Sequence, residues 1–191
     1  MMETIIQNRE DWIRTTPDPA SSSVRTTPHS PACALLAARV IEEMLGELTF
    51  HHLGILVADL DAARERYAVS LGVDAWESRV VSGPAVWRDR PIMIEDVRIA
   101  FGRFGSSLVE LVEPGERPWT GREILDQRGE GLFSIGYEVD DLPACLHRAV
   151  AAGCLVEQLR PDARNPRRAY LDAGSGLLIE LIPGGAGQNG W

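Results

Sequence analysis

The stretch whose reading decides the fold is "HLGILVADL", His52 to Leu60, because it recurs as "SIGYEVDDL", Ser134 to Leu142. Laid over one another, Gly54 meets Gly136, Val57 meets Val139, Asp59 meets Asp141 and Leu60 meets Leu142. Further on, Ala62 meets Ala144 and Arg66 meets Arg148. Each copy opens as an alternating strand, passes an aspartate suited to capping a helix, and continues with helical apolar spacing. The closing strands repeat as well: "LVELVEP" at 108–114 lies over "LIELIP" at 178–183. Between these anchors, strand-like runs fall at about 73–82, 92–101, 154–159 and 167–172, with a short helix around Arg122–Arg128. Two tandem βαβββ modules, at about 50–114 and 133–183, describe the pattern economically. A duplication of this kind determines fold class more firmly than propensity does. The expected class is α+β, built from these two modules.

Around this duplicated domain, 48–185, the chain has other parts. Residues 1–47 read as an extension, irregular through "TTPDPASSSVRTTPHSP" and helical at about 31–45, where Ser30 and Pro31 make a start signal and Gly46 a stop. Residues 186–191 read as a tail.

Composition excludes several function classes. The chain has 191 residues, a formal net charge of -9 and a pI near 4.9, which argues against nucleic acid or an anionic membrane surface as a partner. Neither a membrane-spanning apolar run nor the basic start and apolar core of a signal peptide is read, and a cytoplasmic location is expected. Cys33, Cys145 and Cys154 lack metal-type pairing, consistent with a reduced compartment. All 19 basic residues are arginine. Without lysine there is no Schiff-base chemistry, no pyridoxal-phosphate anchor and no Walker A loop.

Strand alternation selects the residues able to carry chemistry. In the first strand Leu53, Ile55 and Val57 form the face that packs on helices, and His52, Gly54 and Leu56 form the opposite face. Glu110 sits between Val109 and Leu111, and Glu180 between Ile179 and Leu181, each a carboxylate within an apolar strand. Burying such a group is costly unless it is paired or bound to a metal. Glu138 falls on the same face as Gly136, two residues on, as an acid, a base or a solvated residue. His51 and Tyr137 are expected to face the helices, His51 with a structural role. Arg160, Arg164, Arg167 and Arg168 are able to meet an anionic group but read better as solvated surface, and Trp76, Trp87 and Trp119 read as dispersed core or pocket residues.

These motifs resemble the vicinal oxygen chelate superfamily, which includes glyoxalase I, bleomycin-resistance proteins and methylmalonyl-CoA epimerase. "HLGILVADLDAARERY", "LVELVEP", "GEGLFSIGYEVDDL" and "GLLIELI" carry the resemblance, over about residues 50–183. It implies an open barrel around a divalent metal, with each module supplying one ligand from its first strand and one from its fourth. Carried over residue by residue, the positions are His52, Glu110, Ser134 and Glu180. Metal-binding members carry histidine where this chain has Ser134, and a neutral hydroxyl is a poor ligand beside imidazole and carboxylate. The resemblance thus implies either a weakened His52–Glu110–Glu180 site for Zn, Co, Ni or Mn, completed by water, or a pocket that has lost its metal.

Two functions follow from the resemblance. One is an enzyme of isomerase, epimerase, lyase or cyclase type, acting through an enolate or oxyanion on a small carbonyl compound, an acyl-CoA or a secondary metabolite. There His52, Glu110 and Glu180 hold a metal or act as acid and base, with Glu138 in reserve. The other is a metal-free protein that sequesters a small ligand. A homodimer is expected in either case.

Overall fold

The computed structural model describes residues 48–161 and 166–185. The extension, including its expected helix and Cys33, lies outside the described residues, as do Arg164 and the tail. Eight strands and three helices are described: β1 Thr49–Leu56, α1 Leu60–Leu71, β2 Trp76–Trp87, β3 Arg90–Phe104, β4 Ser107–Glu113, α2 Thr120–Arg128, β5 Gly131–Val139, α3 Leu142–Ala151, β6 Leu155–Arg160, β7 Arg168–Asp172 and β8 Leu178–Pro183.

The strands form one barrel in the order β1-β4-β3-β2-β6-β7-β8-β5. Within each module the first strand runs parallel to the last, β1 beside β4 and β5 beside β8. The modules meet along the antiparallel β1–β5 pairing, and the ring closes through the short Val86–Leu159 and Trp87–Gln158 contact of β2 with β6. The α+β class and the tandem βαβββ architecture are those expected from the duplication.

Both crossover helices start where the repeated aspartates stand. Asp59 Oδ1 accepts from the backbone N–H groups of Asp61 and Ala62, each at 3.0 Å, and Asp141 Oδ1 accepts from that of Ala144 at 2.9 Å. These bonds satisfy donors that a helix start leaves without intrahelical partners. α1 ends at Gly72, whose φ of 70° is left-handed and suits glycine.

β2 and β3 extend beyond the expected runs, because Gly83-Pro84 sits at a register shift inside β2 and does not end it. The hairpin turns at Arg88 and Asp89, both at positive φ.

Three apolar clusters follow from strand alternation. α1 buries Leu60 and Ala63 against Ile55, Ala100, Val109 and Leu111 on the outer face of the first module. α3 buries Leu142, Cys145, Leu146 and Ala149 against Ala169, Leu171, Ile179 and Leu181 on the second. Cys145 and Cys154 are buried within this cluster, and burial pushes both thiol pKa values up. Leu56, Ile94, Val97, Ile99, Phe101, Val112 and Phe133 meet in the third cluster, together with Trp119 and Leu125 around α2. Trp119 donates to the Pro114 carbonyl at 2.7 Å, and Trp76 packs against the α1 cluster. No helix among the described residues is long and apolar enough to cross a membrane.

Candidate active site

The centre of the barrel holds the polar exception to this core. His52, Glu110, Ser134 and Glu180 are all fully buried. His52 Nε2 lies 3.0 Å from Glu110 Oε2 and 3.1 Å from Glu180 Oε2. The Ser134 hydroxyl donates to Glu180 Oε2 at 3.3 Å. Four positions distributed over β1, β4, β5 and β8 thus meet because the parallel pairings place Gly54 opposite Glu110 and Gly136 opposite Glu180.

Glycine makes the meeting sterically feasible. A Cβ on Gly136 would overlap the His52 ring, and one on Gly54 would overlap Ser134 and crowd Phe133. Gly136→Ala is therefore expected to displace the imidazole and to cost about 1–3 kcal/mol of stability through overpacking, measured by urea denaturation. An unchanged midpoint would show that the ring has room to move.

His51 is corrected. It does not turn toward the helices. A register shift between Phe50 and His52 makes His51 the extra residue of a β-bulge, so alternation fails there. Its Nδ1 lies 2.8 Å from His52 Nδ1, and its Nε2 lies 4.0 Å from Glu138 Oε1. Burial first, and then the charge of His52, lower the His51 pKa. A neutral His51 accepts at Nδ1 from His52 Nδ1–H, which leaves His52 Nε2 facing the carboxylates. The His51 and Glu138 side chains are 14% and 25% exposed, so this file of groups leads from the buried centre toward solvent. Tyr137 packs with the α3 cluster on the helix side, as expected.

Arg168 is the second correction. It is buried, and its guanidinium bridges the two carboxylates: Nη1 lies 3.2 Å from Glu110 Oε1, and Nε lies 2.8 Å from Glu180 Oε1. Nη1 also lies 3.3 Å from the buried Tyr170 hydroxyl. The signal was present in "RRAYLD": Ala169 and Leu171 occupy the helix-facing positions of β7, so Arg168 and Tyr170 must face the other way. Arg160 is opposite Arg168 in the β6–β7 register, whereas Arg167 is exposed. Arg79 lies over the Phe101 ring at 5.1 Å, and that ring packs edge-on to His52 at 6.0 Å.

Electrostatics bind the cluster together. Burial alone would lower the His52 pKa, but the Glu180 and Glu110 carboxylates outweigh it and raise it to about 9. Burial alone would raise the Glu180 pKa, but Arg168 and then His52 hold it down at about 2. Burial lowers the Arg160 pKa to about 10, with the Arg168 charge adding to the effect. Burial, followed by the Glu180 charge, pushes the Tyr170 phenol far up.

One imidazole nitrogen and two carboxylate oxygens, all within 4.8 Å of one another, form a set able to hold a metal ion. Glu110 Oε2 is buried and faces the His52 ring nitrogen at 3.0 Å. In donor type and spacing, the residues fit a divalent cation. Ser134 contributes only a hydroxyl at the fourth position.

A family model described as the glyoxalase/bleomycin resistance protein/dioxygenase superfamily matches residues 51–171. The chain belongs to that superfamily. Methylmalonyl-CoA epimerases are among the similar solved structures. The enzyme from Mycobacterium tuberculosis is 26% identical, with a TM-score of 0.53, 73% of this chain covered and 89% of that one. A variant of the Streptomyces coelicolor enzyme in complex with 2-nitronate-propionyl-CoA is 25% identical, with a TM-score of 0.55, covering 72% and 98%. A methylmalonyl-CoA epimerase in complex with methylmalonyl-CoA and NH4+ is 25% identical, with a TM-score of 0.56, covering 73% and 97%. The search of curated proteins finds no match.

Proposed function

We propose that the chain is an enzyme of the isomerase or epimerase kind, moving a proton beside the carbonyl of a small molecule such as an acyl-CoA thioester or a secondary metabolite. One observation carries this reading: two buried carboxylates and an imidazole converge, with a guanidinium bridging the carboxylates, inside the barrel of a superfamily whose solved relatives include acyl-CoA epimerases. Removing a proton next to a carbonyl requires a base and a fixed partner for the developing oxyanion.

On this reading Glu180 and Glu110 are the proton acceptors. The protonated His52, whose Nε2–H they share, supplies positive charge beside the developing oxyanion. Substrate enters from the end marked by His51 and Glu138, and the apolar residues of the third cluster exclude water on the other side. Glu138 exchanges protons with solvent through His51. A divalent ion, when bound, would be held by His52, Glu110 and Glu180 and would polarise the carbonyl oxygen. Its binding is weak, because Ser134 replaces the fourth charged or imidazole ligand with a hydroxyl. A cytoplasmic homodimer completes the proposal, and light scattering on purified protein tests the dimer.

The experiment is exchange in deuterium oxide. Acyl-CoA thioesters and related carbonyl compounds are first screened for thermal stabilisation of the protein. Ligands found in this way are then followed for deuterium incorporation next to the carbonyl. Incorporation that depends on the protein supports the enzyme.

The fully buried, internally paired cluster also favours a second reading, a metal-free protein that sequesters its ligand. A ligand that stabilises the protein but returns without deuterium, with and without added metal, selects this reading.

A further inference from the structure

The two glutamates carry two negative charges into a fully buried site, and such charge must be balanced locally. A divalent ion is one way to balance it. In this chain each carboxylate presents Oε2 toward His52 and Oε1 toward Arg168. The guanidinium spans the pair from behind, and it comes from β7, a strand that supplies none of the candidate ligands.

We propose that Arg168 is a built-in cation that takes over much of the charge-balancing role of the metal, positions both carboxylates, and sets the low affinity of this site for divalent ions. The proposal deepens the site reading above and rests on it. Three further observations support it. Ser134, the position able to complete a metal's ligand set, instead donates a hydrogen bond to Glu180 Oε2. Arg160 faces the same side of the sheet as Arg168 and senses the charges of Glu110 and Glu180, adding positive charge nearby. The Tyr170 hydroxyl lies within hydrogen-bond distance of Arg168 Nη1 and helps to hold the guanidinium in place. A divalent ion at the carboxylate Oε2 atoms would sit within a few ångströms of this fixed positive charge. Repulsion at that range, in partly desolvated surroundings, weakens binding by about one to two powers of ten.

The test is metal binding, which does not require turnover. Chelator-treated wild type, Arg168→Met and Arg168→Lys are titrated with MnCl2 and with ZnSO4 by calorimetry, and thermal midpoints are recorded with and without metal. Arg168→Met is expected to lose stability without metal, to bind metal at least about tenfold more tightly than wild type, and to recover much of its midpoint on binding. Arg168→Lys keeps the charge but not the bidentate fork, and is expected to bind metal about as weakly as wild type. Wild type is expected to keep its midpoint after chelation.

Equal affinities in wild type and Arg168→Met overturn the proposal, as does a wild type whose midpoint falls on chelation. The second measurement decides the matter even if Arg168→Met does not fold. A protein without turnover that shows the expected affinity order sinks only the enzyme reading. An active protein with equal affinities sinks only this one.

Discussion

Glu180→Gln is expected to lower the rate of deuterium incorporation, or of turnover of any substrate found, by about 10²-fold or more. The substitution keeps the shape of the side chain and removes its charge and its ability to accept a proton. It also disturbs a fully buried, charged environment. Glu180 meets Arg168 at 2.8 Å, His52 at 3.1 Å and the Ser134 hydroxyl at 3.3 Å, all of them donors. A glutamine amide offers one acceptor and one donor, so its N–H₂ must face at least one of these groups. Substrate affinity is expected to change far less than turnover if Glu180 acts mainly in the transition state. A variant retaining turnover within about threefold would remove Glu180 from the chemistry. Parallel loss of affinity and rate would instead make it a ground-state contact.

The largest stability effect is expected at Glu110. Its side chain is completely buried and faces Arg168 at 3.2 Å and His52 at 3.0 Å. Glu110→Ala leaves positive groups inside the barrel with one carboxylate fewer, which costs about 3–5 kcal/mol. An exposed pair serves as the control: Glu95→Ala breaks a 3.1 Å contact with Arg117 at the surface and should cost less than about 1 kcal/mol. Urea denaturation of both variants checks the contrast, and a Glu110→Ala loss no larger than that of Glu95→Ala would show that the buried network contributes little.

The pH dependence has a definite sign. His52 has a folded pKa raised to about 9 from 6.5, so its contribution is fully present below pH 6.5 and is lost as the pH rises through about 9. Glu110 is one source of that shift. Its removal is therefore expected to flatten the decline in stability between pH 6.5 and 9.

Much of the architecture was legible because a duplicated chain states its pattern twice. Paired aspartates at 59 and 141 mark two helix starts, and paired glutamates at 110 and 180 mark equivalent strand positions. Period-two alternation then assigns Glu110 and Glu180 to the inward face. That reasoning needs only local spacing, and the meeting of His52, Glu110, Ser134 and Glu180 follows from it once the strands pair in parallel.

Alternation failed where a strand gained a residue. The bulge at His51 turns that side chain beside His52, and the shift between Gly54 and Ile55 lets Phe133 join the barrel core while its neighbour Ser134 reaches Glu180. A bulge reflects how two strands fit together, so neither strand reveals it alone. Arg168 was missed for a different reason. In an arginine-rich stretch a charged residue reads as surface, because solvation is the common fate of a charge. Its burial is affordable only because Glu110 and Glu180, 58 and 12 positions away, arrive on other strands to meet it. The sequence by itself determined the duplicated fold and the identity of the inward carboxylates, since both rest on local period and repetition. Only the tertiary structure decided which cation balances those carboxylates and which way His51 points, since both depend on distant strands brought into register.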